Sequence, residues 1–182
     1  MYFESAGRDN TEQVLKHAYQ RAKALEIEEI VVATTTGATA FEALTMFSGF
    51  KVTTVTYHYG FSKPFENRMP ADVREDLTQK GATVVTATHA LSGLEKSLAT
   101  KHQGTYPVLI IADTLRLFGH GTKVAVEVTI MAADAGALSG NDVIAIGGTG
   151  RGADAALVIK PAHMNNLFDM RIREIICKPR RF

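Results

Sequence analysis

The chain contains 182 residues, of which 46% are hydrophobic and 21% charged, a composition typical of one soluble globular domain and unlike that of a disordered chain. Its 20 basic and 19 acidic side chains give a formal charge of +1, which argues against nucleic acid or an anionic membrane as the main partner. The single cysteine, Cys177, excludes an internal disulfide and a four-thiolate zinc site. No secretory leader and no apolar run of bilayer length are recognisable, so we expect a cytoplasmic protein.

Helical and strand patterns alternate along the first half of the chain. Asn10 is a favourable N-cap, and apolar residues from Val14 to Leu25 recur on one helical face. The β-branched run Glu29–Ala33 lacks polar alternation, which is typical of a strand covered on both faces. The further predicted elements are a helix through Phe41, Leu44 and Phe47, a strand at Val52–Tyr57, a helix between Pro70 and Gly81, and a strand at Ala82–Ala87.

The second half of the chain continues the alternation. Ser92–Glu95 is a capping box for a helix that reaches about His102, and Pro107–Phe118 fits a helix or a buried strand, of which we favour the helix. A long, deeply buried helix is predicted over Val124–Leu138. The remaining strands are predicted at Val143–Ile146, at Ala155–Lys160 in an antiparallel pair, and at Ile172–Ile176. This order predicts a three-layer α/β/α sandwich with a mainly parallel sheet, in which ligands bind at the carboxyl ends of the strands.

The segment Thr34-Thr35-Thr36-Gly37-Ala38-Thr39 joins a predicted buried strand to a predicted helix and is the most informative stretch of the sequence. Backbone N–H groups at a helix N-terminus attract anions, Gly37 allows a close approach, and the threonine hydroxyls add donors without adding charge. One threonine would suffice as a helix cap, whereas five of the six positions carry a hydroxyl or are glycine. The segment therefore predicts a site for a terminal phosphate, although it lacks the Gly-Lys-Ser/Thr of a Walker A loop.

A glycine-rich loop lies between two of the later strand predictions. Gly148, Thr149, Gly150 and Arg151 belong to a G-x-G-x-x-A match, but a strand follows directly and too little chain remains for a dinucleotide-binding βαβ unit. Two interpretations stay open for this loop. It is either a flexible loop that closes over a ligand with Arg151 on a phosphate, or a plain hairpin connection.

Three histidines fall at the same predicted edge as these loops. His58 follows the second strand together with Gly60 and Phe61, His89 follows the third, and His120 stands in Gly119-His120-Gly121-Thr122, a segment suited to a second cradle of N–H groups. Such histidines can act as acids, bases or stacking rings, or simply hydrogen-bond within their loops. No HExxH motif and no Cys/His ligand spacing occurs, so no metal is expected, and no catalytic residue can be assigned.

The strand–TTTGAT–helix segment resembles the effector loop of the pyruvate kinase C-terminal domain, in which a Thr-x-Ser-Gly-x-Ser-Ala loop holds a sugar phosphate. The positions that match this pattern in order are Thr34, Thr36, Gly37, Thr39 and Ala40. Gly140–Gly152 also resembles the last strand pair and glycine-rich effector loop of that domain. The middle of the chain departs from pyruvate kinase and the catalytic barrel has no counterpart, so pyruvate kinase activity is not implied.

Two further segments, His58–Phe61 and Leu115–Glu127, are similar to segments of a small family in which this domain stands alone. That resemblance implies a five-stranded mixed sheet whose last strand is antiparallel. It also implies flavin mononucleotide (FMN) with its phosphate on the threonine-rich segment and its ring system near Gly60–Phe61, His89 and Gly119–Thr122. It brings no established reaction.

The predicted function is therefore the binding of a phosphorylated small molecule, with FMN as the leading candidate and the reaction unassigned. The alternatives are a flavin-dependent oxidoreductase, an enzyme acting on another phosphorylated metabolite, a ligand-sensing regulatory module and a scaffold without a small ligand. We expect no nucleic acid or membrane partner, and homo-oligomerisation is left open.

Overall fold

A computed structural model describes residues 1–182 and arranges helices on both faces of a seven-stranded sheet. The strands are Tyr2–Ser5 (β1), Glu29–Ala33 (β2), Lys51–Thr56 (β3), Thr83–Thr86 (β4), Val143–Gly147 (β5), Ala155–Lys160 (β6) and Arg171–Arg181 (β7). The helices are Thr11–Leu25 (α1), Ala38–Met46 (α2), Ala71–Gln79 (α3), Gly93–His102 (α4), Pro107–Arg116 (α5) and His120–Asp134 (α6). The predicted α/β sandwich is confirmed, and so is the helical assignment of Pro107–Phe118 over most of its length.

The strand order is β1-β7-β6-β5-β2-β3-β4, and every strand except β6 runs in one direction. The antiparallel pairing predicted for Ala155–Lys160 is confirmed, because β6 pairs antiparallel with both of its neighbours. The count of five strands is too low. The five expected strands are β2 to β6, and β7 and β1 extend the sheet beyond β6. β7 contains the predicted strand Ile172–Ile176, whereas β1 was missed because its four residues show no apolar alternation.

Two hydrophobic cores lie on opposite faces of the sheet. α1 and α2 cover one face, and α5 and α6 cover the other. Alternate residues of β2 enter different cores, since Ile30 and Val32 pack beneath α1 and α2 while Val31 packs beneath α5 and α6. Burial on both faces explains why β2 has a continuous apolar sequence.

Helix α6 begins and ends about four residues earlier than its apolar pattern predicts. Its first residue is His120, and Gly136, at a φ of 70°, closes its last turn, with its N–H donating to the carbonyl of Ala133. A left-handed glycine of this kind is a common way to end a helix. None of the six helices has both the length and the apolar character that crossing a membrane requires.

The first turn of α6 packs directly against the end of β5 because both elements carry glycine there. A Cβ placed on Gly147 would overlap the carbonyl oxygen of Gly121 and lie 2.7 Å from the backbone nitrogen of Ala125. A Cβ placed on Gly121 would overlap the carboxylate of Asp154. Only glycine permits this approach of two backbones, which fixes the start of α6 at the carboxyl end of the sheet.

We expect Gly147→Ala to destabilise the fold by about 3 kcal/mol, because its methyl group meets rigid backbone rather than a flexible side chain. Gly136→Ala is the matched control. Its Cβ meets nothing within 4 Å, so it should lose only the roughly 1 kcal/mol of a left-handed alanine. Urea unfolding measures both changes, and equal losses would contradict the close contact between α6 and β5.

Candidate ligand-binding site

A cavity of about 760 Å³ opens at the carboxyl ends of the central strands. Its lining comes from the start of α1, from the segments that follow β2, β3, β4 and β5, and from one face of α6. This is the edge at which ligands bind in mainly parallel α/β sheets, and the edge to which the sequence assigned the interesting loops.

The segment Thr34–Thr39 forms one end of this cavity, and all of its residues except Gly37 line it. The Gly37 N–H donates to the buried Thr34 hydroxyl at 3.1 Å, which closes the segment into a turn. Gly37 has a φ of 99°, and a Cβ there would overlap the side chain of Val73. Gly37 is therefore required by the turn geometry rather than by contact with a ligand.

Four backbone N–H groups of this turn have no acceptor within the protein. They belong to Thr35, Thr36, Ala38 and Thr39, and no side chain caps the N-terminus of α2. Thr36 and Ala38 are exposed to the cavity, and Thr35 is half-buried. Unpaired donors and the positive end of a helix dipole at one place suit an anion.

Three arginines line the same cavity, namely Arg8, Arg68 and Arg151. The sequence indicated only Arg151. Arg8 was missed because neither β1 nor the 3-10 turn Arg8–Asn10 that follows it was predicted. Four carboxylate side chains also line the cavity, those of Asp9, Glu12, Glu42 and Glu127, so the arginines do not leave it with a large net charge.

The glycine-rich loop is fastened to the beginning of α1. The Ala153 N–H donates to the Thr11 hydroxyl at 3.0 Å, and the Thr11 hydroxyl donates to the carbonyl of Arg8. Gly152 has a φ of 76°, and a Cβ there would overlap the Thr11 hydroxyl and lie 2.8 Å from the Arg8 Cα. The loop therefore connects the antiparallel pair β5–β6 as a hairpin and also packs against the start of α1.

Three of the four residues singled out in this loop reach the cavity. Gly148, Gly150 and Arg151 line it, and Gly150 and Arg151 are exposed at the tip of the loop. Thr149 does not, since its N–H donates to the Asp154 carboxylate at 3.2 Å. The exposed part of the loop that lines the cavity is thus its tip.

The other end of the cavity runs beneath α6 on the second face of the sheet. Val124, Val128 and Met131 form an apolar wall, and Ala33 and Val55 of the sheet form its floor. The lining residues of α6 extend from His120 to Met131, which is about 16 Å along a helix axis. Sequence reasoning placed this face of α6 in the core and did not identify it as part of a site.

Four rings cluster beside the mouth of the cavity, those of Tyr57, His58, Phe61 and His89. Tyr57 and Phe61 stack with centroids 4.0 Å apart, and His89 lies 5.0–5.2 Å from the other three rings. Of the four, only Tyr57 and His89 line the cavity. His58, Phe61 and the neighbouring Gly60 therefore support the mouth from outside instead of lining it.

A buried ion pair lies behind the histidines. The Lys123 ammonium donates to the Glu127 carboxylate, whose other oxygen accepts the Leu91 N–H at 2.9 Å. Both charged side chains are 6% exposed. Burial lowers the pKa of Lys123, and the neighbouring Glu127 carboxylate opposes that effect.

Both histidines that line the cavity favour the neutral form. Burial lowers the pKa of His89 and of His120 below the ordinary value of 6.5, and the nearby Lys123 cation acts in the same direction. At pH 7 each imidazole therefore offers one N–H donor and one acceptor nitrogen inside the cavity.

The expected second cradle at the start of α6 is mostly outside the cavity lining, and its role toward a ligand stays a prediction. A Cβ placed on Gly119 would contact the ring of Phe182, one placed on Gly121 would overlap Asp154, and the buried Thr122 donates its hydroxyl to the Phe118 carbonyl at 3.1 Å. Of the four residues in Gly119–Thr122, only His120 lines the cavity. The sequence of a glycine-rich helix start does not distinguish a start that faces a ligand from one that packs against neighbouring residues.

Cys177 is buried in the core beneath α1, and burial raises the pKa of its thiol to about 12. The thiol is therefore protonated at neutral pH, and a protonated thiol is a poor nucleophile. The structure shows no group of three or more His, Cys, Asp or Glu side chains arranged to hold a metal ion.

The family model of the pyruvate kinase alpha/beta domain matches residues 12–159, which is most of the chain. The chain belongs to this family. The matched range contains β2 to β6, the turn Thr34–Thr39 and the glycine-rich loop. It leaves out β1, β7 and Arg8, of which Arg8 lines the cavity.

The lowered pKa values of His89 and His120 predict a loss of stability in mild acid. Between about pH 7 and pH 5 the unfolded chain takes up protons that the folded protein resists, so the free energy of unfolding falls as the pH falls. We expect the melting temperature, measured as a function of pH, to fall less steeply in the double variant His89→Gln, His120→Gln than in the unmodified protein. Near pH 8 both imidazoles are neutral in either state, and there the two proteins should differ only by a constant offset. Parallel curves down to pH 5 would contradict the burial of the two imidazoles.

Proposed function

We propose that this protein binds a phosphorylated small molecule and holds its phosphate in the turn Thr34–Thr39. The observation that carries the proposal is a set of four backbone N–H groups without an acceptor at the N-terminus of α2, all of them on residues that line the cavity, with Thr36 and Ala38 exposed there. Arg8 and Arg151 line the same cavity and can add charge-assisted hydrogen bonds to phosphate oxygens. Because most of the donors are neutral, the site agrees with a formal charge of only +1 for the whole chain.

We further propose that the ligand is FMN. The cavity of about 760 Å³ lies within the usual size range of small-molecule sites, and it has a polar end and an apolar end. The wall of Val124, Val128 and Met131 suits a flat apolar ring system, and His89 can hydrogen-bond its polar edge. A bound flavin would supply electron-transfer chemistry, while these residues bind it, orient it and exclude water. The absorption spectrum of the untagged protein, followed by mass spectrometry of released ligand, tests this identity.

A charge reversal at the phosphate end tests the location of the anion. Thr36→Asp places a carboxylate among the unpaired N–H groups and should weaken FMN binding at least about 100-fold, by repulsion and by competition for the donors. Thr36→Asn has nearly the same shape without the charge and should bind within about fivefold of the unmodified protein. Fluorescence titration with FMN measures both variants. Equal affinities for the two variants would place the phosphate elsewhere.

A second substitution separates the two ends of the cavity. Val128→Phe fills the space beneath α6 and should weaken FMN binding at least about tenfold, while inorganic phosphate should bind the variant as it binds the unmodified protein. Riboflavin, which lacks the phosphate, should bind the unmodified protein at least about 100-fold more weakly than FMN. Calorimetry with the three ligands checks these expectations. If riboflavin bound as tightly as FMN, the phosphate turn would have no role in recognition.

A further inference from the structure

Asp154, the residue before β6, is fully buried and touches three separate parts of the cavity wall. Its carboxylate lies between the segment before α1, the glycine-rich loop and the first turn of α6. It does not itself line the cavity. A buried carboxylate without a cationic partner is costly to the fold, so its contacts call for an explanation.

One carboxylate oxygen joins two segments that are far apart in sequence. Asp154 Oδ2 accepts the N–H of Gly7 at 3.1 Å and the N–H of Thr149 at 3.2 Å. Gly7 directly precedes Arg8, and Thr149 stands two residues before Arg151. The backbone segments that carry Arg8 and Arg151 thus both donate a hydrogen bond to the same oxygen, through Gly7 and Thr149.

The other oxygen meets the start of α6. Asp154 Oδ1 is buried, has no hydrogen-bond partner and packs so closely on Gly121 that a Cβ there would overlap it. Gly121 directly follows His120, the residue of this turn that lines the cavity. One side chain therefore sets the spacing of three cavity-lining elements.

We propose that Asp154 is a positioning residue for the ligand site. It holds Arg8, Arg151 and His120 at a fixed separation through backbone contacts, and it acts by its hydrogen-bond acceptor oxygen and its shape rather than by its charge. Burial raises the pKa of this carboxyl, which agrees with a role that does not depend on a negative charge. The part of this inference that concerns affinity rests on the proposed function.

Three variants of the full chain separate positioning from stability. Asp154→Ala removes the acceptor and should weaken FMN binding at least about tenfold, whereas Asp154→Asn keeps a carbonyl oxygen in the same place and should bind within about threefold of the unmodified protein. Glu29→Ala is the matched control. Glu29 is likewise a buried carboxylate that accepts a loop N–H, from Ser139 at 3.2 Å, but it lies at the opposite edge of the sheet. It should lower the melting temperature without changing the affinity for FMN.

Three results of these measurements would overturn the proposal. One is a folded Asp154→Ala variant that binds FMN as tightly as the unmodified protein. A second is an Asp154→Asn variant that binds as weakly as Asp154→Ala, because the negative charge and not the acceptor geometry would then be what matters. A loss of affinity in Glu29→Ala equal to that in Asp154→Ala would also overturn it, since general destabilisation would then explain both.

A pH titration of the unmodified, ligand-free protein tests the two hydrogen bonds to Asp154 Oδ2 independently of any ligand and of the folding of any variant. In a proton–nitrogen NMR titration, the amide signals of Gly7 and Thr149 should shift together with one midpoint above the usual aspartate value, since both donate to one oxygen. The other titratable groups against this carboxyl are His120 on α6 and Cys177 on β7, and the pKa of Cys177 lies far away at about 12. Separate midpoints, or no shift at either amide, would refute the shared hydrogen bond even if FMN binds. Failure of FMN to bind, with a common midpoint, would instead count against the proposed function alone.

Discussion

The contact between the backbones of α6 and β5 at Gly121 and Gly147 is the constraint on which the cavity depends. It fixes where α6 begins relative to the carboxyl edge of the sheet. From that starting point, the helix geometry places Val124 and Val128 along the apolar end of the cavity and brings Glu127 to the Leu91 amide. A helix standing even one side-chain layer further from the sheet would lose its contact with Asp154 and widen the space beneath it.

The central strands and most helices could be predicted because their signals are local. β2 has an apolar run that needs no partner to be recognised, and the turn Thr34–Thr39 carries its hydroxyls and glycine in consecutive positions. What the sequence could not reveal depends on contacts between distant residues. Arg8 reaches the cavity because β1 pairs with β7, and the face of α6 reads as core until the space beneath it is seen. Gly119–Thr122 has the composition of an anion cradle, but only His120 of this segment lines the cavity.

At the α6 side of the cavity, the buried groups are neutral or paired, whereas the free charges of the arginines and exposed carboxylates lie elsewhere in its lining. Lys123 and Glu127 are both buried, and each compensates the other within one turn of α6, where the Leu91 amide adds a third contact. Burial lowers the pKa of both His89 and His120; Lys123 acts in the same direction on each, whereas Glu127 opposes the shift of His89. The result is a cavity wall at α6 with hydrogen-bonding capacity and little free charge, whereas the turn Thr34–Thr39 contributes backbone N–H groups without an acceptor in the protein.

The pairing of β1 with β7 also bears on the order in which the protein folds. β1 has no other partner in the sheet, and the hydrogen bond from the Met1 amino group to the carbonyl of Ile176 spans 175 positions of sequence. Contacts of such long range form late, since the loop they close must first be organised by its own local structure. The turn Thr34–Thr39 lies within the range of β2 to β6, which pair with one another without β1. The position of Arg8 and the hydrogen bond from the Gly7 N–H to Asp154 depend in addition on the pairing of β1 with β7.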